Sequence, residues 1–211
     1  METKGCFIKV ADFFYRIKTY SFHMGLETIL ISALQYAARE HDELGARGLE
    51  LVQRNQHNEM AMLCDIKAEE TVLNRFRQAA VPIRFFTEEH GVVDLTPAEK
   101  ILYTGVLDGL DGSRVYRNER GTGRYGTMLS VFDGIDPAYN DYLASGIIEH
   151  ATKSIFCAEK GKGSMVRLNG FKMPLKVSAE RRLDENTRIY IDDFWEINRK
   201  TFAEKLRGST G

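Results

Sequence analysis

The sequence has few of the residues that build disulfide frameworks or structural zinc sites. Its 211 residues include three cysteines, Cys6, Cys64 and Cys157, which are far apart and odd in number. This spacing argues against a disulfide framework and against a zinc site, and it is typical of a protein in a reducing compartment. The five histidines show no metal-ligand spacing either. We therefore expect a cytoplasmic protein.

Long apolar runs and an excess of charge of one sign are also missing. No apolar run reaches the length that spans a bilayer, and the N-terminal region has neither the apolar core nor the small-residue cleavage site of a signal peptide. The 29 basic residues nearly balance the 30 acidic ones. These absences predict a protein that binds neither nucleic acid nor membranes. The length is sufficient for one large domain or two small ones with a real core.

The most informative stretch is the segment 106–113, which reads VLDGLDGS. The apolar segment 101–107 predicts a buried strand, so Asp108 falls where that strand ends. Gly109 and Gly112 then favour a tight turn. The sequence therefore predicts two carboxylates, three residues apart, on one turn.

The groups on this turn suit a magnesium ion and a phosphate. Asp108, Asp111 and the carbonyl of Leu110 offer hard oxygen ligands, which Mg²⁺ prefers and zinc does not require. Ser113 adds a hydroxyl, and the backbone amides of Gly112 and Ser113 could receive a phosphate. The alternative is a plain surface turn in which Asp and Gly supply only turn chemistry.

Two further acidic positions lie upstream of this turn. The segment 83–86 predicts a short strand that delivers Glu88 and Glu89 at its end, and the alternative for this pair is a solvated acidic turn. Asp65 is predicted to cap a helix over residues 66–78, and a cap alone would explain it.

The rest of the chain indicates strands between helices. A helical pattern begins at Leu26, and residues 1–23 form either a docking helix or an extension upstream of a start at Met24. Loops are predicted over 53–59 and 114–126. Strands are predicted at 127–132, 146–148, 154–158, 165–168 and 188–191, and a helix at 198–205. This order predicts an α+β fold leading into an α/β fold.

Taken together, these motifs resemble the inositol monophosphatase family, the Mg²⁺-dependent sugar, inositol and nucleotide phosphatases. That family has an Asp opening a helix, a Glu-Glu after a strand, Asp-Pro-Ile/Leu-Asp-Gly-Thr/Ser, an Ala-x-x-Gly-x-Gly…Asn-Gly hairpin and an Arg-x-x-Gly-Ser/Thr turn. The matching positions are Asp65, Glu88 and Glu89, the segments 108–113 and 158–170, and Gly208 and Ser209. The resemblance covers residues 24–211.

The resemblance implies a layered helix–sheet–helix sandwich of the inositol monophosphatase type with an incomplete second sheet. It divides the chain into an N-terminal extension at 1–23, an α+β metal-binding phosphatase domain at 24–175 and the start of an α/β domain at 176–211. Family members continue to a Trp-Asp-x-Ala-Ala/Gly motif whose Asp is a metal ligand. This sequence ends at Gly211 before that motif. We therefore expect a fragment, a truncated gene product or a degenerate member with little activity.

The resemblance also assigns metal ligands. Glu88, Asp108 and the Leu110 carbonyl would hold a first Mg²⁺, and Asp108 with Asp111 would hold a second. Asp65 would bind a third, weaker ion. Two departures from the family pattern are expected to loosen the turn: Gly109 replaces the usual Pro, and Val115 replaces a frequent Asn.

For the substrate, the resemblance implies hydrolysis of a phosphate monoester by metal-activated water. Glu88 and Ser113 would orient the water, and the amides of Gly112 and Ser113 would bind the phosphate, together with Gly208 and Ser209. The substrate would be an inositol monophosphate or a sugar phosphate like fructose 1,6-bisphosphate, and a homodimer stays open. The alternative is a catalytically impaired fragment, or a metal-binding or interaction module of the same family.

Overall fold

The structure is a computed structural model that describes residues 6–55, 58–119, 122–177 and 179, with residues 6–24 described as helical backbone. The chain divides into two compact units, Met1–Lys176 and Val177–Gly211. The predicted strand at 188–191, the helix at 198–205, and Gly208 and Ser209 lie outside the described residues. Within the described ranges, no helix has the length and apolar character needed to cross a membrane.

Two long helices form one layer of the first unit. Helix α1 spans Cys6–Leu44 and therefore begins well before the predicted start at Leu26. Helix α2 spans Leu63–Gln78. The apolar face of each helix is buried, as the 3.6-residue periodicity predicts, with Leu34 of α1 and Phe76 of α2 fully inaccessible.

Along the sequence, a small hairpin follows α1 and precedes α2. Strand β1, Leu51–Arg54, pairs antiparallel with strand β2, Met60–Met62. The prediction of a loop over 53–59 is therefore wrong at its start, because residues 53 and 54 belong to β1. Polar residues such as Gln53 and Arg54 are tolerated here because all four residues of β1 are exposed.

The second layer is an eight-stranded mixed sheet. Its strands are β3 (Ile83–Thr87), β4 (Gly91–Asp94), β5 (Tyr103–Asp111), β6 (Gly126–Asp133), β7 (Tyr142–Glu149), β8 (Ser154–Glu159), β9 (Gly163–Leu168) and β10 (Phe171–Leu175). Their order across the sheet is β10-β9-β8-β7-β6-β5-β3-β4. The strands predicted at 127–132, 146–148, 154–158 and 165–168 are confirmed. Three are one or two residues longer than expected, and the segment 146–148 is part of the eight-residue β7.

A third helix corrects the predicted loop over 114–126. Helix α3 spans Ser113–Glu119 and buries Tyr116, which is 1% exposed. The Arg- and Gly-rich composition of this segment favours a loop, but burial of one large aromatic ring outweighs that weak local preference.

One strand pair differs from all others in the described sheet. Strands β3 and β5 run parallel, with Thr87 opposite Leu107 as the last aligned pair, whereas the other neighbours are antiparallel. Glu88 and Asp108 follow these two residues directly. Glu88 leaves the sheet at the end of β3, whereas Asp108 stays in β5 and pairs with Met128 of β6. Both acidic residues therefore lie where the parallel pairing ends. The prediction that the strand ends at Asp108 in a tight turn is wrong, because irregular pairing with β6 carries β5 on to Asp111.

The core lies between the helices and one face of the sheet. Phe76 of α2 meets Phe85 of β3 edge to face, with ring centroids 5.1 Å apart. Helix α1 packs closely over β7, because an added Cβ at Gly146 would lie 2.5 Å from Leu30 Cδ2 and 2.8 Å from Leu34 Cδ1. The missing side chain at Gly146 therefore sets the distance between α1 and the sheet.

We expect Gly146→Ala to lower the free energy of unfolding by about 1–3 kcal/mol, because the new methyl group overpacks the contact with α1. The control is Gly25→Ala on α1, where the nearest atom to the new Cβ lies 3.9 Å away. That change should raise stability by up to about 1 kcal/mol, since Gly is a poor helix former. Urea denaturation measures both, and equal effects of the two substitutions would contradict the packing described here.

A buried histidine pair connects α1 to the end of the sheet. The rings of His41, on α1, and His150, which follows β7, have centroids 3.8 Å apart, and both are almost fully buried. Neither ring nitrogen of His41 has a hydrogen-bond partner. Burial lowers the pKa of His41 to about 4 and the pKa of His150 to about 2. Both rings are therefore neutral at pH 7.

This pair predicts a loss of stability in acid. Below pH 6.5 the unfolded chain protonates His41, whereas the folded chain keeps it neutral down to about pH 4. The unfolded state then binds more protons, so His41 lowers the free energy of unfolding by about 3 kcal/mol between pH 6.5 and pH 4. We expect His41→Phe to remove that part of the pH dependence in urea titrations. An unchanged slope between these pH values would contradict the prediction.

Candidate functional site

A cavity of about 260 Å³ lies where the parallel strands β3 and β5 end. Its walls come from the β1–β2 hairpin, the first turn of α2, the turn after β3 and the end of β5. Carboxylates dominate the lining: Glu59, Asp65, Glu88, Glu89, Asp108 and Asp111. In the described part of the chain, Arg117 of α3 is the basic side chain that joins them. The cavity is therefore strongly acidic.

The structure brings the predicted site residues of the first unit into this one cavity. They come from three segments of the sequence, each about 20 residues from the next, and they are Asp65, Glu88, Asp108, Leu110, Asp111, Gly112 and Ser113. Gly208 and Ser209, predicted to bind substrate, lie outside the described residues. The roles assigned to these residues remain predictions.

Asp65 has a different place in its helix from the predicted one. Helix α2 begins at Leu63 with Met62 as its N-cap, so Asp65 lies inside the first turn and is not the cap. Its side chain is buried, and Oδ1 has no hydrogen-bond partner. Burial, followed by repulsion from Glu89 and Asp108, raises the pKa of Asp65 to about 9. A carboxyl group in this position lacks compensating positive charge.

Asp108 shapes the bulged segment 108–111 at the end of β5, called the acidic turn below. Its Oδ1 accepts a hydrogen bond from the backbone N–H of Leu110 at 2.9 Å, and the pairing of β5 with β6 is irregular between Asp108 and Asp111. Burial, and then the charge of Glu88, raises the pKa of Asp108 to about 7. Burial also raises the pKa of Glu89. The acidic groups of the cavity thus disfavour one another's ionisation.

Gly109, which was expected to loosen the turn, lies in close contact with α2. A Cβ at Gly109 would overlap the backbone oxygen of Asp65 and lie 2.5 Å from Asp65 Oδ1. The absent side chain is what allows α2 to approach the turn. Val115, also expected to loosen it, packs against the apolar cluster that includes Leu110 and Tyr116. Both departures from the family pattern are therefore accommodated by packing.

The carbonyl of Gly109 ends a hydrogen-bond chain that the sequence did not predict. The buried hydroxyl of Thr127 donates to Gly109 O at 2.8 Å and lies 3.0 Å from His150 Nε2. Because the one hydroxyl proton of Thr127 goes to the carbonyl, His150 Nε2 is the donor to Thr127 Oγ1. This series of hydrogen bonds supports the acidic turn from its buried side.

Glu69 is a second residue that the sequence analysis missed. It is fully buried in α2, and its carboxylate accepts hydrogen bonds from the backbone of the turn 88–90. The same carboxylate raises the pKa of His90. The four-residue spacing between Asp65 and Glu69, which puts them on one helix face, is the signal that could have identified it.

The donor set fits a hard divalent cation. Within the described ranges, no three His, Cys, Asp or Glu side chains already form a metal-binding group. The cavity nonetheless contains buried carboxylate oxygens without hydrogen-bond partners, Asp65 Oδ1 and Glu89 Oε2. The clustered carboxyl groups raise one another's pKa values, and a bound Mg²⁺ or Ca²⁺ would stabilise their charged forms.

Comparison with known proteins gives relatives of one kind. No family model matches the chain. The inositol-1-monophosphatase of Caulobacter vibrioides is 29% identical over 121 residues, which are 57% of this chain and 43% of that protein. The chain thus spans less than half the length of that curated relative.

Solved structures show the same fold. The extragenic suppressor protein suhB of Bartonella henselae superposes with a TM-score of 0.57 at 21% identity, over 74% of this chain and 55% of that one. The fructose-1,6-bisphosphatase of Leishmania major gives a TM-score of 0.53 at 13% identity, over 67% and 50% of the two chains. The predicted fold class, a mixed sheet with flanking helices, is confirmed. With the order of the motifs, these similarities confirm the resemblance, and the chain has the fold of the inositol monophosphatase family.

Proposed function

We propose that this chain carries the metal-binding half of a Mg²⁺-dependent phosphomonoesterase site. One observation carries the proposal: Glu88 and Asp108 follow the last aligned residues of two parallel strands and share an acidic cavity with Asp65 and Asp111. The names of the relatives support it, since one is an inositol-1-monophosphatase and another a fructose-1,6-bisphosphatase.

The cation would be held by the carboxylates of Glu88, Asp108 and Asp111 and by the carbonyl of Leu110, with Asp65 available to a weaker ion. When bound, Mg²⁺ supplies positive charge that neutralises the phosphate and lowers the pKa of an attacking water. The raised pKa values of Asp65 and Asp108 support this assignment, because carboxylates without a cation repel each other here.

The chain's own residues would bind and orient the substrate. Gly112, which has φ +86°, and Ser113 line the cavity, so their backbone amides would receive the phosphate, and Arg117 adds positive charge to the lining. Glu88 and the hydroxyl of Ser113 would orient the attacking water. Phosphoryl transfer passes through a loose transition state, so positioning and charge are what this site has to provide.

The substrate class is a small phosphorylated polyol or sugar. Inositol monophosphates and fructose 1,6-bisphosphate-like sugar phosphates both place hydroxyl groups beside a phosphate ester. A second candidate is a metal-binding or interaction module without turnover. The two candidates differ in turnover and agree on cation binding.

We expect Asp108→Asn to raise the melting temperature of the metal-free protein, because the substitution removes one charge from a repelling cluster. The same variant should lose the Mg²⁺-induced rise in melting temperature that mass action gives the unsubstituted chain. Asp94→Asn is the control, since Asp94 pairs with Arg84 on the surface at 2.7 Å and lies outside the cavity. A Mg²⁺ shift that survives Asp108→Asn would contradict the ligand assignment.

Activity is tested by phosphate release from inositol 1-phosphate, fructose 1,6-bisphosphate and 3′-phosphoadenosine 5′-phosphate, with and without Mg²⁺. We expect slow Mg²⁺-dependent release, reduced about a hundredfold further by Asp111→Asn, because each electrostatic group at such a site contributes roughly 3 kcal/mol. Mg²⁺ binding without any release of phosphate would favour the metal-binding module. Release that is equally fast in excess chelator would exclude the metal mechanism.

A further inference from the structure

We propose that Glu69 is the positioning residue that fixes the turn carrying Glu88, and thereby the geometry of the acidic site. Its carboxylate is 0% exposed. One oxygen, Oε1, accepts the N–H groups of Glu88 at 3.0 Å and Glu89 at 3.1 Å. The other, Oε2, accepts the N–H of His90 at 3.2 Å and lies 2.6 Å from His90 Nδ1. The effect of this geometry on cation binding rests on the proposed function.

Four donors on one carboxylate form an anchor for three consecutive residues. Successive backbone N–H groups that converge on one anion make a stable concave arrangement, and hydrogen bonds to a charged acceptor are stronger than neutral ones. A buried carboxylate is costly unless it is satisfied in this way. The hydroxyl of Thr87 also accepts the N–H of His90 at 3.0 Å, which closes the turn on its strand side.

The same helix face also touches the second acidic turn. Asp65 lies four residues before Glu69, and its backbone oxygen fills the space where a Cβ of Gly109 would lie. That Cβ would also lie 3.0 Å from Glu69 Cγ. Helix α2 thus holds the backbone at Glu88 by hydrogen bonds and the backbone at Gly109 by contact, and Glu69 takes part in both.

Glu69 acts through these backbones and is not a ligand. The acidic cavity is lined by Glu88, Glu89 and Asp108, and Glu69 is not among its lining residues. Both of its oxygens already accept hydrogen bonds inside the protein. Its effect on cation binding is therefore exerted through the positions of Glu88 and Asp108, as residues behind metal ligands commonly do.

The test compares Glu69→Gln with two controls in the full chain. Gln keeps one acceptor oxygen but replaces the other with an amide that donates, so it cannot accept both the bonds from Glu88 and Glu89 and those from His90. Glu70→Gln is the matched substitution at the neighbouring residue, which is half exposed and pairs with Lys67 at 2.6 Å. Val72→Ala removes two buried methyl groups from the same helix, and it reproduces a loss of stability without touching the turn.

Two readouts are measured for each protein: amide hydrogen exchange at residues 88–90 by NMR, and Mg²⁺ affinity by calorimetric titration. For Glu69→Gln we expect exchange at 88–90 to accelerate at least about tenfold and Mg²⁺ affinity to fall about 10- to 100-fold. Glu70→Gln and Val72→Ala should keep the Mg²⁺ affinity of the unsubstituted chain within about twofold. Glu69→Asp keeps the charge but shortens the side chain, and it should lower Mg²⁺ affinity in a chain that remains folded.

Each outcome decides the inference. Unchanged exchange in Glu69→Gln would overturn the anchor, and faster exchange with unchanged Mg²⁺ affinity would overturn its role in positioning the site. A fall in affinity in Val72→Ala equal to that in Glu69→Gln would reduce Glu69 to a general stabilising residue. If Glu69→Gln does not fold, unchanged Mg²⁺ affinity in Glu69→Asp overturns the inference. Absence of Mg²⁺ binding in the unsubstituted chain instead removes the proposed function, while the exchange data still decide the anchor.

Discussion

The parallel pairing of β3 with β5 is the interaction on which the candidate site depends. In the described sheet it is the one parallel pair, and its last aligned residues are Thr87 and Leu107. Glu88 and Asp108 directly follow these two residues, so the parallel register places them side by side where the pairing ends. An antiparallel pair would place them at opposite ends of the strands. The eight-stranded sheet and the helices packed on it hold this pair in its interior.

The acidic cavity opposes folding, and the surrounding packing has to offset that opposition. The pKa values of Asp65 and Asp108 are raised because each carboxylate is buried near others. Repulsion of this kind lowers the stability of the protein without a cation and raises its affinity for one. Helix α2 tolerates the arrangement because Phe76 and its apolar neighbours are firmly packed against β3. Charged groups stabilise a reaction best when they are already fixed in place. Helix α2 contacts both acidic turns and can hold their carboxylates in this way.

Local pattern predicted most strands and failed where distant contacts decide the outcome. The alternating and apolar segments 127–132, 146–148 and 154–158 form strands because each pairs with its neighbours and packs against α1. The segment 53–59 is polar and the segment 114–126 is rich in Arg and Gly, so local preference favours loops in both. Their ends nonetheless enter β1 and α3, because pairing with β2 and burial of Tyr116 outweigh propensities of a few tenths of a kcal/mol.

The sequence alone predicted the chemistry of the candidate site: hard oxygen donors at Glu88, Asp108 and Asp111, in an order that resembles one phosphatase family. Residue type and spacing along the chain are sufficient for that conclusion. The tertiary structure decided which groups hold these donors in place. Glu69 accepts hydrogen bonds from residues 19 to 21 positions away, and Gly109 contacts α2. Both interactions join segments that no local periodicity relates. Such contacts arise only when helix α2 packs against the sheet, because hydrogen bonding and close packing depend on distance in space and not on separation along the chain.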